Sequence, residues 1–129
     1  MNIEMAYLLG MICGNGEIKR GEVNTTVSIE IPHKKMLTEE NNDVRVYVKA
    51  SITDIRAILE PLIGVDLQCI QQNNVTIMSF TKPNGDFLIR TIIQYVGNAA
   101  SHETVRIDRS VFNFSRDERI SFLRGFSDV

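Results

Sequence analysis

The chain opens on an apolar run, Ile3 to Cys13, that reads as a short apolar helix. Gly14-Asn15-Gly16 stops it, three residues that tolerate positive φ and signal a turn. From Val23 the period changes to two. Val23, Thr25, Val27, Ile29 and Ile31 fall on one side, and Asn24, Thr26, Ser28 and Glu30 on the other, which predicts a half-buried strand ended by Pro32. His33 to Asn42 is polar and charged and reads as a loop. Asp43 to Lys49 alternates again, placing Val44, Val46 and Val48 inward and Arg45, Tyr47 and Lys49 outward.

Ser51 suits an N-cap, with Asp54 three residues on, and Ile52, Ile55, Ile58, Leu59 and Leu62 recur at helical spacing as far as Gly64. Pro61 lies inside this helix and is expected to distort its last turn. Val65 to Ile70 and Val75 to Phe80 predict a hairpin around Gln72-Asn73-Asn74, and Pro83-Asn84-Gly85 breaks the chain. Phe87 to Val96 is amphipathic with helical spacing, Gly97 to Glu103 is a polar loop, and a last helix starts at Ser115 with Glu118 in the capping-box position. The elements predict an α+β domain in the order helix, two strands, helix, two strands, helix, with a further helix at the end.

The chain has 129 residues, enough for one domain with a real core, and its 43% hydrophobic and 23% charged residues are ordinary for a globular protein. Its net charge of −2 argues against a surface coated in positive charge for nucleic acid, although a local basic face is compatible with it. No cationic segment precedes a long apolar one, and no apolar run approaches the ~20 residues of a membrane span. Cys13 and Cys69 are far apart without neighbouring His or Cys, so they read as small apolar residues in a reducing, intracellular setting, cytoplasmic or DNA-associated. His33 and His102 are isolated and support no nucleophilic triad.

Two segments carry more than a fold class. The first is Tyr7-Leu8-Leu9-Gly10-Met11-Ile12-Cys13-Gly14-Asn15-Gly16-Glu17. The second is Phe122-Leu123-Arg124-Gly125-Phe126-Ser127-Asp128-Val129, preceded by Arg106-Ile107-Asp108 and Val111-Phe112. The first resembles the motif of the LAGLIDADG homing endonucleases, inteins and maturases, and the second resembles the start of a second copy in two-motif members. The resemblance implies an αββαββα half-saddle over residues 1–114, with an antiparallel four-stranded sheet, and a helix over 115–129 that begins a second copy. It implies motif helices packed at the centre, with Gly10, Gly14 and Gly125 at their interface. It also implies paired carboxylates at the helix feet that hold Mg²⁺ for phosphodiester cleavage.

The sequence departs from that pattern at the chemistry. The family's catalytic acid falls on Asn15, and a neutral amide is a poor Mg²⁺ ligand. Cys13 takes the place of the motif's other acidic letter. Asp128 matches that non-catalytic letter in the second copy, and Val129 is one residue short of the second acid. On this reading the chain is expected to be a piece of a two-motif parent or of a multidomain protein, with a degenerate site and no cofactor of its own.

The same resemblance puts double-stranded DNA against the outward strand residues: Thr26, Ser28 and Glu30; Arg45, Tyr47 and Lys49; and Gln68, Gln72, Asn74 and Thr76, with Lys19 and Arg20 near the edge, where Lys34 and Lys35 could also reach phosphates. Polar alternation is also what any antiparallel sheet with one wet side displays. Three functional classes therefore stand open: a DNA-binding module, a Mg²⁺-dependent endonuclease in the parent or on dimerisation, and a structural dimerisation domain. The partner of the first helix is either the C-terminal helix of the same chain, as part of a second half-domain, or a second copy in a homodimer.

Overall fold

The computed structural model describes residues 1–32, 34–38, 43–47, 52–72, 74–97 and 113–129, with side chains for all of these except 34–38 and 43–47. The described elements are α1 (Ile3–Asn15), β1 (Gly16–Arg20), β2 (Asn24–Pro32), β3 (Lys34–Thr38), β4 (Asp43–Tyr47), α2 (Ile52–Ile63), β5 (Gln68–Gln71), β6 (Val75–Pro83), α3 (Phe87–Val96) and α4 (Arg116–Asp128). The fold is α+β. A four-stranded antiparallel sheet in the order β1-β2-β6-β5 is covered on one face by helices, and within it the path is αββαββα.

Helix α1 is the axis of the molecule. Asn2 caps it, its side-chain oxygen accepting from the Met5 amide at 2.7 Å. Every residue from Met5 to Cys13 is buried, as an apolar helix without a polar stripe requires. The sheet lies on one side, α2 and α3 flank it, and α4 lies on the other. Ile55, Leu59 and Ile63 of α2 and Leu88, Ile89, Ile92 and Val96 of α3 recur at helical spacing and bury against the same core. From the sheet, Ile18, Val27, Ile29, Ile31, Met78 and Phe80 complete it. Pro61 is tolerated in the last turn of α2. That helix ends at Gly64, whose φ of 79° admits glycine readily and whose N–H still bonds the Glu60 carbonyl at 2.9 Å.

Three features differ from the reading of the sequence. Gly14-Asn15-Gly16 is not a turn: α1 runs to Asn15 and β1 begins at Gly16 without a spare residue. The Gly16 N–H still closes the helix onto Ile12, and a Cβ at Gly16 would meet the Ile12 Cα at 2.6 Å, so only glycine passes this corner. The polar stretch after Pro32 contains a strand, β3, instead of being wholly loop. Most consequentially, β4, with Arg45 and Tyr47, does not join the four-stranded sheet. It pairs with β3 in a separate two-stranded sheet, Met36 opposite Arg45 and Lys34 opposite Tyr47. Period-two alternation reports a strand with a buried side but not its partner, and β1, with Ile18 as its one large apolar residue, takes the place beside β2.

Candidate nucleic-acid interface and its helix pair

Helices α1 and α4 run side by side in the same direction. Ser121 near the start of α4 donates its hydroxyl to the Ile3 carbonyl at 2.5 Å, and Tyr7 donates to the Asp128 carboxylate at 2.7 Å. Between these bonds the backbones touch. A Cβ on Gly10 would fall onto the carbonyl oxygen of Phe122 and lie 2.9 Å from the Phe126 nitrogen. One on Gly125 would fall onto the carbonyl oxygen of Tyr7 and lie 3.1 Å from the Met11 nitrogen. Gly14 is less tightly held: a Cβ there would meet the Val129 side chain at 2.5 Å and the Phe126 oxygen at 2.9 Å.

The contact is reciprocal. A single separation of 115 residues relates Gly10 to Gly125, Tyr7 to Phe122 and Met11 to Phe126. Each helix thus presents its glycine to the same two positions of the other, which is a local twofold relation between α1 and α4. The capping box predicted for α4 forms in both directions: Ser115 N donates to Glu118 at 2.8 Å, and Glu118 N donates to the Ser115 hydroxyl at 3.2 Å. Edge-to-face rings of Tyr95, Phe114 and Phe122 tie the start of α4 to α3.

Asn15 stands at the foot of α1, where the helix meets the sheet. Its amide donates to the Glu30 carbonyl at 3.0 Å, a bond that no carboxylate could make. Cys13 is buried, and burial pushes its thiol up to about 12, so it remains a neutral thiol. Tyr7 is held well above the usual phenol range, first by burial and then by its bond to Asp128. Asp128 is engaged by that phenol. Among the described residues no three His, Cys, Asp or Glu side chains converge as a metal site. The amide donor of Asn15, the neutral thiol of Cys13 and the engaged Asp128 do not offer the one or two free carboxylates by which a protein holds Mg²⁺, so these residues do not fit that ion.

The sheet face turned away from the helices is set by burial and register. Glu17 and Lys19 of β1, Thr26, Ser28 and Glu30 of β2, Ile77, Ser79 and Thr81 of β6, and Gln68 and Ile70 of β5 share it. The rows across it are Lys19, Thr26 and Thr81, then Glu17, Ser28, Ser79 and Gln68, then Glu30, Ile77 and Ile70. The Thr26 and Thr81 hydroxyls bond each other at 2.8 Å, and Lys19 approaches Glu17 at 3.7 Å. Lys19, Thr26, Ser28, Glu30 and Gln68 are thus brought onto one surface. Arg20 is exposed, but by alternation it belongs to the opposite face, beyond Ile18. Gln72 and Asn74 are exposed in the β5–β6 turn.

Thr76 is a correction. It is 4% exposed and points into the core, because Met78 and Phe80 share its phase and claim the buried side. Its neighbours Ile77, Ser79 and Thr81 take the wet face instead, a placement that the bulk of Met78 and Phe80 already implied. Arg45 and Tyr47 lie in β4 with side chains outside those described, and Lys49 lies outside the described residues. Glu17, Ser79 and Thr81 are wet-face residues that the sequence pattern did not single out, since residues 17–22 carry no clear period and Thr76 set β6 in the wrong phase. Among the described side chains the wet face carries one lysine against two glutamates.

No protein-family model matches the chain, and no curated protein sequence matches it. Among solved structures, one of a mesophilic variant of the homing endonuclease I-DmoI is similar, with a TM-score of 0.48 and 16% sequence identity. The similarity covers 98% of this chain, which spans 58% of the length of that one. No helix among the described residues is long and apolar enough to cross a membrane.

Proposed function

We propose that this chain is one lobe of a LAGLIDADG-type double-stranded DNA-binding module in which the first metal-binding position has been lost. The observation that carries the reading is the reciprocal packing of α1 on α4, with Asn15 at its foot beside the polar sheet face. A helix pair built on touching backbones is a rigid base for a sheet. The wet face then offers Lys19, Thr26, Ser28 and Gln68 to a duplex, the first for phosphate and the others for base edges or phosphate. The apolar outer side of α4, where Ile120 and Leu123 are exposed, is where a second lobe would sit.

The test is a titration of the purified chain with mixed-sequence duplex across a salt series, beside a Lys19→Ala variant. The expected result is weak binding that falls with salt, with the variant losing about one phosphate contact from the slope. Mg²⁺-dependent nicking that EDTA abolishes is not expected. Absence of any binding at low salt rejects the reading.

One observation favours a second reading. Glu17 and Glu30 outnumber Lys19 on the wet face, which opposes phosphate instead of attracting it. A module whose motif helix serves only for packing has no need of a basic face, and it is the reading that remains if the titration is flat.

A further inference from the structure

The twofold relation between α1 and α4 extends to the backbones around Gly10 and Gly125, but not to Gly14, whose counterpart is Val129, and not to the polar bonds. Two side-chain hydrogen bonds cross the pair: Tyr7 Oη to Asp128 at 2.7 Å and Ser121 Oγ to the Ile3 carbonyl at 2.5 Å. Under the separation of 115 residues the counterpart of Tyr7 is Phe122 and that of Asp128 is Cys13, so the mirrored bond has neither its donor nor its acceptor. The counterpart of Ser121 is Ala6, which is fully buried and has nothing to donate. Both bonds therefore exist in only one of the two equivalent places.

We propose that these two bonds select α4 as the partner of α1 and reject a second copy of α1. The glycine contacts cannot make that choice, because Gly10 would fit the backbone of another α1 in the way it fits α4. In such a pair the 3%-exposed Tyr7 would face Cys13 of the other copy. The neutral, buried thiol there is a weak acceptor, and the phenol would be left without a proper partner. The Ile3 carbonyl would face Ala6 and, being on an exposed residue, would turn to water, so the buried Tyr7 phenol carries most of the discrimination. In the α1·α4 pair both groups are satisfied. A polar group that is paired in one assembly and orphaned in another discriminates between them, whatever it adds to stability.

Sedimentation velocity over a concentration series tests this on the full chain. The variants are Tyr7→Phe alone and the triple Tyr7→Phe, Ser121→Ala, Asp128→Cys, which gives α4 the polar complement of α1. The triple variant is expected to self-associate about tenfold or more tightly than wild type, and Tyr7→Phe alone by a smaller factor. Returning Tyr7 and Asp128 together is expected to weaken that association again, whereas Tyr7 alone, which faces a cysteine in either pair, is expected to leave it unchanged. Association through any other surface is common to all these proteins and drops out of the comparison. Equal association in wild type and the triple variant overturns the proposal, and so does a triple variant that melts lower without associating. In that case the bonds stabilise the pair but do not choose it.

Discussion

Where α1 meets α4, main chain lies on main chain and every added atom has an address. On the wet face of the sheet, hydroxyls, amides and three charged groups look outward with space around them. The first region is specified by volume. Gly10, Gly14 and Gly125 leave no room for a Cβ, and neither helix can shift without losing the Tyr7 or Ser121 bond. The second region is specified only by phase: a residue there must be compatible with a strand and with water. Sites of the first kind determine whether the molecule assembles. Sites of the second kind determine what it touches, and can change without cost to the fold.

The sharpest way to break the comparison is to put a side chain into the helix pair. Gly10→Leu drives several carbons into the Phe122 and Phe126 backbone. Since the neighbour is backbone and not a flexible tip, the cost is expected at or above the usual overpacking range, about 3 kcal/mol. A thermal melt with denaturant titration reads it. The same substitution size on the wet face, Ser28→Leu, is expected to change stability by about 0.5 kcal/mol or less. If the two variants melt together, the helix pair is looser than its geometry and the contrast fails.

Much of this was legible beforehand, and the pattern of successes has a cause. Helices α1 to α4, the β5–β6 hairpin and the cap at Ser115 follow from spacing and capping chemistry, which act within a few residues, whereas the Asp86 cap of α3 is seen only in the structure and Ser51 lies outside the described residues. Gly10, Gly14 and Gly125 were placed at a helix interface by the resemblance of their two segments, and the close backbone approach at all three agrees with that placement. What could not be read was partnership between strands. Nothing local in Val44, Val46 and Val48 distinguishes a strand beside β2 from one beside β3, and nothing local in Glu17-Ile18-Lys19 marks a sheet edge. Thr76 was misplaced for a different reason, because a small polar residue was given more weight than the two large apolar residues that share its phase.

Asn15 sits on the border between the two regions, and Asn15→Asp probes it with a smaller effect. The carboxylate loses the donor that Asn15 gives the Glu30 carbonyl and sets a negative charge against that oxygen. In EDTA the variant is expected to be less stable by about 1 kcal/mol, the net worth of one such bond. If the foot of α1 lies where a cation can be held, Mg²⁺ narrows that gap in the variant and leaves the wild-type Tm unchanged. A variant as stable as wild type in EDTA would show that the Asn15 bond contributes nothing.

The smallest effect is the most informative about the wet face. Glu30 projects from the C-terminal part of β2 on the surface proposed to face DNA, and its side chain makes no described bond there; its carbonyl accepts from the Asn15 side chain. Glu30→Gln keeps the shape and removes one negative charge, so stability is expected to stay within about 0.5 kcal/mol. Affinity for duplex is a different matter. A solvent-exposed carboxylate within a Debye length of phosphates repels them, by about 0.5 kcal/mol at moderate salt, and that converts to an affinity gain of roughly twofold to threefold. The gain should shrink as salt rises, which separates electrostatic repulsion from a new hydrogen bond by the glutamine. Titrating Glu30→Gln and wild type side by side at low and moderate salt reads both the gain and its decay. If affinity falls instead, Glu30 accepts a hydrogen bond from the DNA, a role that fits cytosine N4 in the major groove. If nothing changes at either salt, the duplex does not lie on this face of the sheet.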